Sequence, residues 1–131
     1  MKETTPSYFR LPTAFVDSIL PGLSDTAGRV LLVVLRQTHG WKDRDGNAKK
    51  SDWITSKQMC RRVGRQREAV SGGIDILVRR GLLLVTDITG RPLSTPSDRR
   101  RCRGKLLYSP GPVMDLLYTV EQPSTTKRIR Q

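Results

Sequence analysis

Ser56-Lys57-Gln58-Met59-Cys60-Arg61-Arg62-Val63-Gly64-Arg65-Gln66-Arg67-Glu68-Ala69-Val70-Ser71-Gly72-Gly73-Ile74-Asp75-Ile76-Leu77 reads as two helices joined by a glycine turn. Thr55 or Ser56 caps the first, which is predicted to run to about Arg62 with Met59, Cys60 and Val63 inward and Lys57, Arg61 and Arg62 outward. Gly64 supplies the turn. The second is predicted over about Gln66–Arg80, where Val70, Ile74 and Leu77 recur at i, i+4 and i+7 with Val78 beside them, and Gly81 ends it. Gly72-Gly73 in mid-helix is unusual, since each glycine costs about 1 kcal/mol relative to alanine. Close approach of another helix is expected at one of the two, although a DNA backbone would serve as well.

Outward from that core the pattern continues. Trp53-Ile54 reads as a short strand before the first helix, and Leu82–Ile88 as a strong strand after the second. Gly90–Arg103 is a polar, Pro- and Arg-containing loop, and Lys105–Tyr108 completes a hairpin. This order predicts a mostly α fold with a small antiparallel β-hairpin, a winged helix-turn-helix. Upstream, Ser24 caps a helix from Asp25 to about His39 whose stripe of Ala27, Val30, Leu31, Val34 and Leu35, thickened by Leu32 and Val33, makes it the most buried one. Gly40 reads as its stop, and His39 in its last turn as structural. A short helix is expected over about Thr13–Ile19, ended by Pro21-Gly22, and another over Val113–Tyr118 after the break at Pro110-Gly111-Pro112. Trp41 and Trp53 flank a polar loop and are expected to close it by packing on the core. The chain thus divides into an arm (1–12), one domain (13–118) and a flexible basic tail or linker (119–131).

The charge is lopsided: 131 residues hold 24 Lys+Arg against 12 Asp+Glu, a formal net charge of +12. Such an excess calls for an anionic partner, with nucleic acid ahead of an anionic membrane or an acidic protein. Other classes fall away. Cys60 and Cys102 make no disulfide framework, and one histidine, His39, supplies neither a zinc set nor a Ser–His–acid or Cys–His grouping. Asp43, Asp45 and Asp52 lack the glutamate of a calcium loop, and no glycine-rich phosphate cradle occurs. The expectation is a non-enzymatic protein with no metal and no cofactor. Residues 1–6 lack the apolar core of a signal peptide, and Val30–Leu35 is too short to span a bilayer, so a cytoplasmic, nucleoid-associated protein is expected.

With Val70, Ile74 and Leu77 inward, the second helix presents Gln66, Arg67 and Ser71 outward on its N-terminal half, the half that points into the major groove in a recognition helix. Arg67 suits the O6 and N7 of guanine, Gln66 suits adenine, and Ser71 a base or phosphate. Arg65 is a phosphate clamp, while Lys57, Arg61 and Arg62 cross the backbone. Asp75 should lie outside the contact. The loop adds Arg91, Arg99, Arg100, Arg101, Arg103 and Lys105. Four arginines within five residues are costly to bury, so an exposed, mobile wing that grips the backbone or a narrow minor groove is expected. Neither basic region contains the aromatics on which single strands stack, which favours double-stranded DNA. A winged-helix transcriptional regulator and a protein-interaction adaptor with a basic loop are the alternatives, and a homodimer is left open.

Tyr8-Phe9-Arg10-Leu11-Pro12, then Leu31 to Trp41 ending in Thr38-His39-Gly40-Trp41, then Lys49-Lys50-Ser51-Asp52-Trp53-Ile54 resemble the N-terminal domain of phage replication protein O. In that family a helix closes with a similar T-x-G-W, and a K-x-D-x-I stretch leads into the helix-turn-helix. The resemblance covers about residues 8–110. It implies recognition of a replication origin by a phage, plasmid or related mobile element at the start of DNA replication. It also implies a replicative helicase or its loader as partner, through a region absent from this chain. Two departures stand out. Arg62 and Arg65 flank a turn where such domains often place small or apolar residues, and the chain ends at Gln131.

Overall fold

In a computed structural model, the described residues are 8–41 and 43–120. The segments 1–7 and 121–131, most of the expected arm and tail, lie outside them. Among the described residues the first elements are a π-helical turn, Phe15–Ile19, and a 3₁₀ turn, Leu20–Gly22. Then follow α1 (Asp25–Thr38), β1 (Asp52–Trp53), α2 (Ser56–Val63), α3 (Arg67–Arg79), β2 (Leu83–Thr86), α4 (Pro96–Arg101), β3 (Leu107–Pro110) and α5 (Pro112–Val120). The fold is mostly helical with a small antiparallel sheet, a winged helix-turn-helix.

Local chemistry sets the helix starts. Ser24 Oγ accepts from the Ala27 amide at 3.1 Å, which begins α1. At α2, Thr55 Oγ1 accepts from the Gln58 amide (3.1 Å) while Gln58 Oε1 accepts from the Thr55 amide (3.0 Å), a reciprocal capping box. Gly64 closes α2 at φ 77°, a left-handed conformation that glycine adopts without steric cost. α1 is the central helix: Ala27, Val30, Leu31, Val34 and Leu35 are buried. Met59 and Val63 of α2, Val70, Ile74 and Leu77 of α3, Val85 and Tyr108 of the sheet, and Met114 of α5 complete one core with them. Gly73 is the glycine that serves packing. A Cβ there would lie 3.2 Å from both the N and Cα of Ala27, whereas one at Gly72 would meet nothing within 4 Å.

Three features differ from the sequence expectations. The sheet has three strands in the order β1-β3-β2, because Asp52 and Trp53 pair with Tyr108 and Leu107. β3 runs two residues later than expected and ends on Pro110. Trp53 is 48% exposed instead of closing its loop on the core, and Lys105 Nζ lies 4.3 Å from its ring centroid. Trp41 is half-buried under a similar cation, Lys49 Nζ, at 4.7 Å.

Candidate nucleic-acid interface

The 20 residues between β2 and β3 decide what the basic surface looks like. Their tip is a turn built on Asp87, whose Oδ1 accepts from the Thr89 hydroxyl (2.6 Å) and from the Thr89 and Arg91 amides (2.9 and 3.0 Å). The Thr89 hydroxyl bond, more than the two amides, holds the Asp87 carboxyl below its usual range. Leu93 then returns to the core and donates its amide to the Val85 carbonyl at 2.8 Å. Next comes α4, started by Thr95, whose Oγ1 accepts from the Asp98 amide (3.1 Å), with Pro96 in its first turn.

That helix corrects the expectation of a mobile loop with every arginine exposed. Arg99 is 9% exposed. It donates through Nη1 to the Leu93 carbonyl (2.9 Å) and through Nη2 to Asp75 Oδ1 (3.0 Å). The other oxygen of Asp75 pairs with Arg79 Nε at 3.1 Å. A guanidinium can be buried when a planar acceptor pair meets its fork, and Asp75 with the Leu93 carbonyl does so. Arg99 is therefore tied into the fold through two of its five N–H donors. The helical pattern places Asp75 outside the contact and does not disclose this pair. Its pairing was half legible, since a lone acid four residues before Arg79 is placed for an i,i+4 ion pair.

The remaining candidates fall into three groups. Arg67, Glu68 and Ser71 of α3 and Arg99 and Arg100 of α4 line one open cleft of about 650 Å³, joined by Ser56 from α2. Its floor is apolar, with Met59, Val70, Ile74, Leu106 and Tyr108. Burial pushes the Tyr108 hydroxyl up to about 12, opposed by the nearby Arg99 charge, so it is a neutral wall at ordinary pH. No hydrogen bond or ion pair among the described residues occupies the Arg67 guanidinium, and Arg100 reaches only Ser97 Oγ at 3.4 Å. Arg91, Arg101 and Arg103 gather on a second hollow with Asp87 and Asp98, on the hairpin side of α4. Arg61 and Arg62 line a third with Gln37, Asp52 and Trp53.

In that third group Arg62 Nη1 donates to Gln37 Oε1 (2.6 Å), and Gln37 Nε2 donates to Asp52 Oδ2 (2.8 Å), so α2 is tied to α1 and β1. Arg65 is exposed but ion-paired with Asp25, which Arg29 also meets at 3.3 Å. Gln66 is the exposed N-cap of α3 with no side-chain cap bond, and Lys57 is exposed on α2. Sequence reasoning missed Ser56 on the lip of the cleft and Trp53 beside Arg61. The signal for α4 was present, because Thr95-Pro96-Ser97-Asp98 has the cap, first-turn proline and third-position acid of a helix start.

No group of three or more potential metal ligands occurs among the described residues, and no described helix is long and apolar enough to cross a membrane. Neither a curated protein nor a solved structure matches the chain. A family model does match it, over residues 1–94, from the N-terminus through α1, α2, α3 and β2 to just short of α4. With a match across most of its length, the chain belongs to the bacteriophage replication protein O family.

Proposed function

We propose that this protein binds double-stranded DNA in a sequence-specific manner and recognises a replication origin of a phage, plasmid or other mobile element. Membership of the replication protein O family supplies the replication role. The observation that carries DNA binding is that Arg67, Ser71 and Arg100, from two different elements, line one cleft. α3 enters the major groove with Gln66, Arg67 and Ser71 toward base edges. Arg100 meets the phosphates of the strand that passes between α3 and α4. Arg91, Arg101 and Arg103 extend the positive surface along the hairpin side, and Lys57, Arg61, Arg62 and Arg65 hold the flanking backbone.

Selection from a pool of random duplex DNA tests this reading. Recovered sites that recur as repeats in a replication region support it. A palindromic promoter site bound by a stable dimer points to transcription, and no retarded band with any duplex at low salt points to a protein-binding adaptor. Arg67→Ala is expected to cost about 1–3 kcal/mol of preference for the selected site over random duplex. Arg100→Ala weakens both alike and reduces the slope of log K against log salt by about 0.9. Equal losses on both duplexes from both variants would refute that division of labour.

A further inference from the structure

Arg99 and Asp75 sit 24 positions apart in sequence and join α4 to α3. The Arg99 side chain is 7% exposed and that of Asp75 19%. Arg99 lines the same cleft as Arg67 and Arg100, while Asp75 is not among the residues that line it. Two acceptors, Asp75 Oδ1 and the Leu93 carbonyl, engage the guanidinium, so α4 is tied to α3 through this one side chain. Arg79 on the second oxygen of Asp75 holds the carboxylate in turn.

We propose that the Asp75–Arg99 pair is the strut that sets the spacing of the two DNA-facing lips, which makes Asp75 a positioning residue for sequence discrimination although it touches no DNA. The inference rests on the reading of the cleft as duplex-facing. A base contact from α3 and a phosphate contact from α4 are satisfied together only at one separation. With the strut cut, each element still meets phosphates, so affinity for arbitrary sequence survives. What is lost is the register that lets Arg67 and Arg100 act at once on the correct site.

The test uses the full chain, Asp75→Asn and Arg99→Lys, the second because an ammonium keeps the charge but not the fork. Each is titrated against the duplex that the wild type selects and against a scrambled duplex of equal length and composition, and amide exchange is followed in α3 and α4. Both variants should bind the scrambled duplex within about twofold of wild type and the selected one about tenfold more weakly, the size of one mismatched base pair. Protection of the α4 amides should fall while that of α3 persists, and Asp75→Glu should restore part of the discrimination. If Asp75→Asn does not fold, Arg99→Lys decides. An unchanged ratio of the two affinities, an equal loss on both duplexes, or unchanged α4 exchange overturns the strut. If the wild type selects no duplex at all, the reading of the cleft itself fails. In that event lost α4 protection in the variants still registers the tie between the helices, without its role in discrimination.

Discussion

The guanidinium of Arg99 is held by two acceptors, while that of Arg100, one residue on, reaches only a serine hydroxyl. A helix turns successive side chains by about 100°, so of two neighbours on α4 that both line the cleft, one meets a carboxylate and the other stays in the open. Read as a loop, the arginines from 99 to 103 are equivalent; read as a helix, they are not. This is why the presence of a basic wing was legible and its internal division was not. Arg67 and Ser71 were legible because their outward direction follows from the Val70–Ile74–Leu77 stripe alone. The same scale carries a pH prediction at Tyr108. Burial raises its hydroxyl from 10.0 to about 12, so between those values the unfolded chain sheds a proton that the folded one keeps. The stability that Tyr108 contributes is therefore complete below pH 10 and is lost as pH rises toward 12, by on the order of 3 kcal/mol. Tyr118, raised likewise to about 12, adds to the same window. Denaturant titrations across that range should register the decline, and Tyr108→Phe should remove its share.

At the level of elements, caps, a glycine turn and stripes gave away α1, α2 and α3 to within a residue or two, because α1 and α2 begin at side-chain caps, α3 follows the Gly64 turn, and each carries a clean apolar face. The end of β3 was hidden by Pro110, which reads as a breaker. Gly111 donates to the Leu82 carbonyl at 3.0 Å, so in the alternating antiparallel pattern the nitrogen of Pro110 points away from β2. β1 extends only to the partners Leu107 and Tyr108 and does not reach that edge, so no ladder bond is forfeited. The two mid-helix glycines of α3 call for opposite expectations. Gly72→Ala adds a methyl in open space and should raise stability by about 1 kcal/mol. Gly73→Ala drives its methyl against the Ala27 backbone, which cannot step aside, and should lower it by about 1–3 kcal/mol. Thermal melts of the pair decide both signs.

Across the molecule, an excess of 12 positive charges on 131 residues opposes the compact state and favours a polyanion. Added salt acts on these in opposite directions. Raising it from about 0.05 to about 0.2 M should lift the melting temperature by screening self-repulsion while steeply weakening attachment to DNA. A melting temperature that falls over that range would mean that the surface ion pairs Arg29–Asp25, Lys49–Asp52 and Arg79–Asp75 outweigh the net charge. The close approach of Gly73 to Ala27 bears on how such a protein can be retargeted. Position 73 is committed to the neighbouring helix and position 75 to Arg99, whereas positions 66, 67 and 71, which precede them at the N-terminal end of α3, carry exposed side chains. On the proposed reading of α3 as the DNA-facing helix, new recognition alphabets can be written at those outward sites alone, whereas transplanting a foreign helix wholesale would strand a buried cation and wedge two backbones apart.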